Sequence, residues 1–283
     1  MCIKPFSVKV DGKIYTVPCK RCLGCRVSYF QDIMFLSQCE AVHAYESGFG
    51  CSFVTLTYAD AFVPLAYSDY DKEFRMTLRR KQFTDFMKRM HINLQRKNFP
   101  LKHFRFIACG EYGDGSRNNG IPSDRPHYHA VFFGPDAALA DRLVYESWKF
   151  GFCHVGDLAA GGLRYVSDYV TKSKMDTFSN LVVYDSTNRE RPFFRRSIYL
   201  GREWIEKNIP DNSVYYCGKF IPGTARKYLN VSSQDVNVEM YKEALKNGYS
   251  SLEAYQDKLK DDYRKILLAK ARQNCEPVPF DFT

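Results

Sequence analysis

What most constrains the fold is a pair of strand-like runs, FRFIACGEY at 104–112 and PHYHAVFFG at 126–134, separated by a Gly-, Asn- and Ser-rich stretch that includes DGSRNNG. Apolar and aromatic runs bounded by turn formers predict the two arms of a long-looped antiparallel hairpin. A strand at 51–58 (CSFVTLTY) precedes them and a short one at 152–155 follows. Helical spacing is expected over 27–47, 136–148 and 162–174. It is clearest over 77–97, where Leu78, Phe83, Phe86, Met87, Met90 and Leu94 recur at three- and four-residue steps. An antiparallel central pair with interspersed helices predicts an α+β fold: one sheet with helices packed against it.

The chain divides by pattern into a Cys-rich segment at 1–26, a main domain at 27–193 and a largely helical extension at 194–283. In the extension, RSIYLGREWIEKN suggests a short helix and FIPGTARKYL a turn-rich segment. Residues 235–273 read as helix broken at Asn247-Gly248. With 283 residues, 45% hydrophobic and 16% aromatic, a disordered chain is excluded. No uncharged apolar run is long enough to span a bilayer and the N-terminus has no apolar h-region, so a soluble, intracellular protein with no membrane partner is expected.

His127 and His129 stand two apart in a strand, a spacing that puts both imidazoles on one face of the sheet. Glu111 closes the preceding strand, and an antiparallel hairpin brings its carboxylate beside them. Three such ligands can hold Mg²⁺, Mn²⁺, Zn²⁺ or Fe²⁺. The remaining His43, His91, His103 and His154 stand alone in the sequence and read as structural or surface residues.

In GLRYVSDYVTKSK, Tyr165 and Tyr169 are four apart on a predicted helix, and Lys172 follows on the same side. A phenol is a weak nucleophile at its ordinary pKa near ~10 and needs an ion or a cation to assist it. Together with a metal site, the pair suggests transesterification at a phosphate, with tyrosine becoming linked to the 5′ end and a 3′-OH released. No P-loop is present, so ATP-driven unwinding would come from a partner.

Cys19, Cys22 and Cys25 form two overlapping C-x₂-C steps, and Cys2 is a possible fourth thiolate for a structural zinc. The net charge of +9 is concentrated. Residues 71–105 hold eleven Lys or Arg against three acidic residues. The predicted helix over 77–97 carries Arg79, Arg80, Lys81, Lys88 and Arg89 on an outer face that suits a phosphate backbone, and the abundant aromatics suit unpaired bases.

The stretch from Cys19 to Lys174, through PCKRCLGCR, FVTLTY, CGEYG, RPHYHAVFFG and YVSDYVTK, resembles the HUH endonucleases, specifically the replication initiators of gokushovirus-like microviruses. That resemblance implies a five-stranded antiparallel sheet and a rolling-circle initiator that nicks single-stranded DNA at an origin. It also implies Glu111, His127 and His129 as ligands of a divalent metal (Mg or Mn), and Tyr165 and Tyr169 as nucleophiles. Host helicase and polymerase would be partners, in a bacterial cytoplasm. Two departures stand out: Tyr128 lies between the histidines where an aliphatic residue is usual, and Asp168 lies between the tyrosines where many relatives have Lys, a role assigned here to Lys172. Two rival readings are a two-His-one-carboxylate oxygenase, whose ligand order differs, and a non-enzymatic zinc-containing single-stranded nucleic-acid-binding protein.

Overall fold

The computed structural model describes residues 2, 5–20, 22–113, 124–158, 161–164, 166, 167, 184 and 186–273. The chain forms two compact units, one made of 1–32 with 205–283 and the other of 33–204. Strand β1 (Phe6–Val10) pairs antiparallel with β2 (Lys13–Val17). Asp11 and Gly12 between them both have positive φ (48° and 78°), the conformation that an Asp-Gly hairpin turn requires. This hairpin is an addition to the elements expected from sequence, although its Asp-Gly signal is present there. Helix α1 (Leu23–Glu46) begins four residues earlier than its apolar spacing suggests, so Cys25 lies in its first turn.

Strand β3 (Gly50–Thr57) opens the central sheet, and a small hairpin of β4 (Leu65–Tyr67) and β5 (Phe74–Met76) follows. Helix α2 (Arg80–Arg96) buries Phe83, Phe86, Met87, Met90 and Leu94, the positions that its spacing predicts. Each such side chain contributes about 1.5–3 kcal/mol by leaving water. Strands β6 (Arg105–Tyr112) and β7 (Pro126–Gly134) form the long-looped hairpin, then come α3 (Ala137–Ser147) and β8 (Cys153–Asp157). The Asp136 carboxylate caps α3 by accepting the Leu139 N–H at 2.8 Å.

The fifth strand is β9 (Phe193–Arg196), which pairs with β6 and completes a five-stranded sheet in the order β8-β3-β7-β6-β9. Every neighbouring pair is antiparallel. The sequence pattern predicts no strand at this position because its four residues are too few to show a period. Tyr128, Ala130 and Phe132 of β7 turn to one face and join α2 and α3 in the main core with Phe104, Leu143 and Trp148. Alternation then assigns His127, His129, Val131 and Phe133 to the other face. Gly134 has φ +110°, and a Cβ there would lie 2.3 Å from the His103 carbonyl oxygen, so the chain leaves the sheet at a position only glycine fits.

In the other unit, the Asp32 carboxylate accepts the Thr224 N–H at 3.0 Å and the Thr224 hydroxyl. FIPGTARKYL is not wholly a turn: after Pro222 it forms a short helix, Gly223–Tyr228, consistent with proline favouring a helix start. Two longer helices follow, Ser233–Lys246 and Leu252–Gln273. The first begins at a capping box of Ser232 and Asp235, and Gly248, with φ +78°, lies in the break between them. No helix among the described residues is long and apolar enough to cross a membrane.

Candidate metal centre

In the β6–β7 register Glu111 faces His127 and Cys109 faces His129, so the carboxylate and both imidazoles share one face of the sheet. Glu111 Oε1 lies 2.9 Å from His127 Nε2 and 3.1 Å from His129 Nε2. Glu111 and His129 are buried and His127 is half-buried, so the group opens to solvent on the His127 side. The predicted convergence of these three residues is present in the fold, and they can hold a metal ion.

Each imidazole is oriented through its other nitrogen. His127 Nδ1 is 3.0 Å from the Arg125 carbonyl oxygen, and His129 Nδ1 is 2.9 Å from Thr55 Oγ1 on the neighbouring strand β3. A backbone carbonyl accepts only, so His127 carries its proton on Nδ1 and presents Nε2 as a lone pair when an ion is bound. Burial pushes the Glu111 carboxyl up, but the hydrogen bonds and charges of His127 and His129 outweigh it and hold the group below its ordinary value. It therefore remains the anion that a cation needs. Thr55 escapes sequence reasoning because a threonine in a strand has no distinguishing pattern. Only the register pairing of Thr55 with His129 reveals it.

Tyr128, between the histidines, points into the core. Its hydroxyl accepts the Arg79 N–H at 3.0 Å and lies 2.7 Å from the Tyr58 hydroxyl, which donates to Gln82 Oε1 at 2.6 Å. Burial pushes the Tyr128 phenol up to about 12, so it stays protonated and available as a donor. A tyrosine here, rather than an aliphatic residue, ties the ligand-bearing strand to the start of α2. Opposite it, a Cβ on Gly110 would lie 2.6 Å from the Phe193 ring, which explains the glycine in CGEYG.

Tyr165, Tyr169 and Lys172 lie outside the described residues. Helical residues 161–164 precede them, and the position a Cβ would take on Gly162 is 3.1 Å from the Phe53 ring. Phe53 in turn lies 5.7 Å from the His129 ring, centroid to centroid, so this helical piece borders the same sheet face as the three ligands.

The basic residues of α2 divide into two kinds. Arg79 donates to the Leu65 carbonyl, Arg80 donates to the Arg191 carbonyl and stacks over Phe193, and Arg89 donates to the Ser147 carbonyl at 2.7 Å. Lys81 and Lys88 are well exposed and flank Asp85. Because α2 covers the Tyr128 face of the sheet, this basic surface lies across the sheet from Glu111, His127 and His129.

In the other unit, Cys2, Cys19, Cys22 and Cys25 come together as a second candidate metal group. The Cys19–Cys25 and Cys22–Cys2 sulfur pairs are each 3.9 Å apart. A tetrahedral zinc with Zn–S bonds of ~2.3 Å needs sulfur separations of roughly 3.8 Å. Backbone N–H groups of Cys19 and Cys22 donate to the sulfurs of Cys2 and Cys19 at 3.2 and 3.3 Å, the kind of contact that supports thiolates. Burial, helped by the hydrogen bond with Cys2, pushes the Cys25 thiol up, so it holds its proton until an ion displaces it.

Residues 51–174 match a family of phage-type initiators described as "Replication-associated protein ORF2". Among curated proteins, the chain is 26% identical over 178 residues to "Replication-associated protein ORF4" of Chlamydia phage 1, covering 56% of this chain and 38% of that protein. It is 25% identical over 178 residues to "Replication-associated protein ORF2" of Spiroplasma virus 4, covering 56% of this chain and 48% of that protein. The chain thus spans less than half the length of the curated relatives it matches. No solved structure gives a significant match. The matched span contains Glu111, His127 and His129, and over it the chain is related to the phage replication-associated proteins of the ORF2 family.

Proposed function

We propose that this protein is a rolling-circle replication initiator: a metal-dependent endonuclease and strand transferase of the HUH type that nicks single-stranded DNA at an origin by tyrosine attack. The observation that carries this reading is the convergence of His127 Nε2 and His129 Nε2 on Glu111 Oε1, each imidazole held from behind by Arg125 or Thr55. The family match over residues 51–174 supports it, as does the helical piece at 161–164 beside the same sheet face. The nuclease domain is proposed to span 27–193.

Two imidazoles and one carboxylate fit a divalent ion, Mg or Mn in this reading, held by Glu111, His127 and His129. Bound there, the ion would supply Lewis-acid polarisation of the scissile phosphate. The chain's own residues would do the rest. One phenol, Tyr165 or Tyr169, attacks phosphorus; the P–O3′ bond breaks, and the leaving 3′ oxygen takes up a proton to become a free 3′-OH. The 5′ phosphate is left esterified to tyrosine. Lys172 would stabilise negative charge on phenolate or phosphate. The second tyrosine would allow a second cleavage after one round of synthesis, followed by strand transfer and ligation. The Cys2, Cys19, Cys22 and Cys25 cluster would hold a structural zinc. Lys81 and Lys88, with Arg79, Arg80 and Arg89 behind them, would meet the DNA backbone away from the cut. Host helicase and polymerase would act with the protein in the bacterial cytoplasm.

The test is to incubate the purified protein with end-labelled single-stranded origin DNA and Mn²⁺ and to run a denaturing gel. We expect a covalent protein–DNA adduct that disappears with chelator and in the double variant Tyr165→Phe/Tyr169→Phe. DNA binding without any adduct by folded, metal-loaded protein would instead favour a zinc-containing single-stranded nucleic-acid-binding protein.

A further inference from the structure

Three residues that look isolated in the sequence, His43, His103 and Glu203, meet in the unit formed by 33–204. His43 lies in the last turn of α1, His103 in the turn just before β6, and Glu203 in the first turn of the helix Arg202–Asn208. One ligand atom from each lies within 4.8 Å of the others. Glu203 Oε2 is 3.1 Å from His43 Nε2. That contact falls outside hydrogen-bond geometry, so His43 Nε2 is buried without a hydrogen-bond partner, and so is His103 Nδ1. Two orphaned imidazole nitrogens in one place are costly for a fold unless something binds them.

We propose that His43, His103 and Glu203 form a second metal site, separate from the Glu111, His127 and His129 centre. The imidazoles are already held: the His103 ring packs 4.7 Å from Phe49 and 6.0 Å from the His43 ring, nearly parallel to the latter. The Glu203 carboxylate is oriented as well, with Oε1 3.7 Å from Arg105 Nη2 and Oε2 turned to His43. A guanidinium on the outer oxygen leaves the inner one for an ion, the usual arrangement around a ligating carboxylate. Ligand bonds of ~2.0–2.2 Å require the three donors to close in slightly, a movement that an exposed glutamate side chain on a short helix can make. Two imidazoles and a single carboxylate next to Lys102 and Arg105 suit Zn²⁺, or Ni²⁺ or Cu²⁺, and not Mg²⁺ or Ca²⁺, which need several oxygens.

His103 and Glu111 are eight residues apart along one strand and its lead-in, on the order of 25 Å at ~3.3 Å per residue. An ion at His103 therefore touches no group of the proposed nicking centre. Its effect would be to pin α1, the lead-in of β6 and the 202–208 helix to one another, a stabilising cross-link between segments far apart in the sequence.

The test uses the full chain with its cysteines zinc-loaded and His127→Ala/His129→Ala introduced, so that the first centre takes no ion. Calorimetric titration with Zn²⁺ should show one further ion and a rise in melting temperature. His43→Ala/His103→Ala added to this background should remove both. Glu203→Gln, at an exposed side chain that leaves packing untouched, should weaken binding about tenfold or more and settles the matter if the histidine variants misfold. No further ion in the background protein, or unchanged affinity with Glu203→Gln, overturns the proposal. In otherwise wild-type protein Glu203→Gln should leave the DNA adduct unchanged, so this inference and the nicking reading fail separately.

Discussion

Two groups of two histidines and a glutamate occupy the unit formed by 33–204, and the chain assembles them by different means. Glu111, His127 and His129 sit on two adjacent strands of one hairpin, where backbone register alone sets which residues face each other. His43, His103 and Glu203 arrive from a helix end, a turn and a short helix, and only side-chain packing brings them together. In the first group each Nδ1 has a partner behind it, whereas in the second His43 Nε2 and His103 Nδ1 are buried without one. A ligand set built on a register is fixed before any ion arrives, which suits chemistry that depends on orientation. A ligand set built on packing gains order when an ion binds, which suits a clamp.

The largest expected effect separates the two groups directly. His127→Ala or His129→Ala should lower metal-dependent adduct formation by about a thousandfold or more, given the several kcal/mol that a catalytic ion supplies. His43→Ala should change it less than about twofold. Equal losses in single-turnover assays would break the comparison.

Tyr128→Ala removes a fully buried ring and should cost about 3–5 kcal/mol in urea unfolding, while Tyr128→Phe, which leaves the Arg79 N–H and the Tyr58 hydroxyl short of a partner, should cost about 1–3 kcal/mol. A Phe variant as unstable as the Ala variant would mean that the hydroxyl contacts matter more than the ring. Next in size, Thr55→Val removes the group that orients His129 and should weaken Mn²⁺ binding about 10- to 100-fold, as read by electron paramagnetic resonance. Unchanged affinity would show that the register suffices without support from β3.

The pH response should also differ between two buried carboxyl groups. Glu111 is held below its ordinary value by its histidines, so its contribution to stability is present above about pH 4.5 and lost as pH falls through the lowered folded value. In metal-free melts the advantage of wild type over Glu111→Gln should be full near pH 6 and shrink towards pH 3. Glu40, whose Oε2 accepts the Gly201 N–H at 2.6 Å, is pushed the other way by burial. Its stability contribution is full below its unfolded value and is lost as pH rises through the raised folded one. Glu40→Gln should therefore be slightly more stable than wild type above neutral pH, the smallest of these effects.

The sequence makes the first group legible and hides the second for the same reason. A period of two and a hairpin are local, so His127, His129 and Glu111 can be placed from spacing alone, as can the buried stripe of α2 and the cap at Asp136. Strand β9 escapes because four residues carry no period, and its place beside β6 is a long-range pairing. His43, His103 and Glu203 escape because nothing local joins them. Helical spacing presents the α2 arginines as a uniform outer face, yet Arg79, Arg80 and Arg89 are engaged with backbone carbonyls of other segments. Their reach past the helix surface is a property of long side chains that a helical projection does not capture.

Strand β7 is paired on both sides and packs on both faces, so it has no neutral position to move into. A slip of one residue would send His127 and His129 into the aromatic core and bring Tyr128 and Phe132 out to where an ion would sit. Insertions and deletions in this strand should therefore be eliminated as folding failures before they are ever tested as catalysts. The spacing of its histidines is preserved by what lies behind them as much as by what they bind.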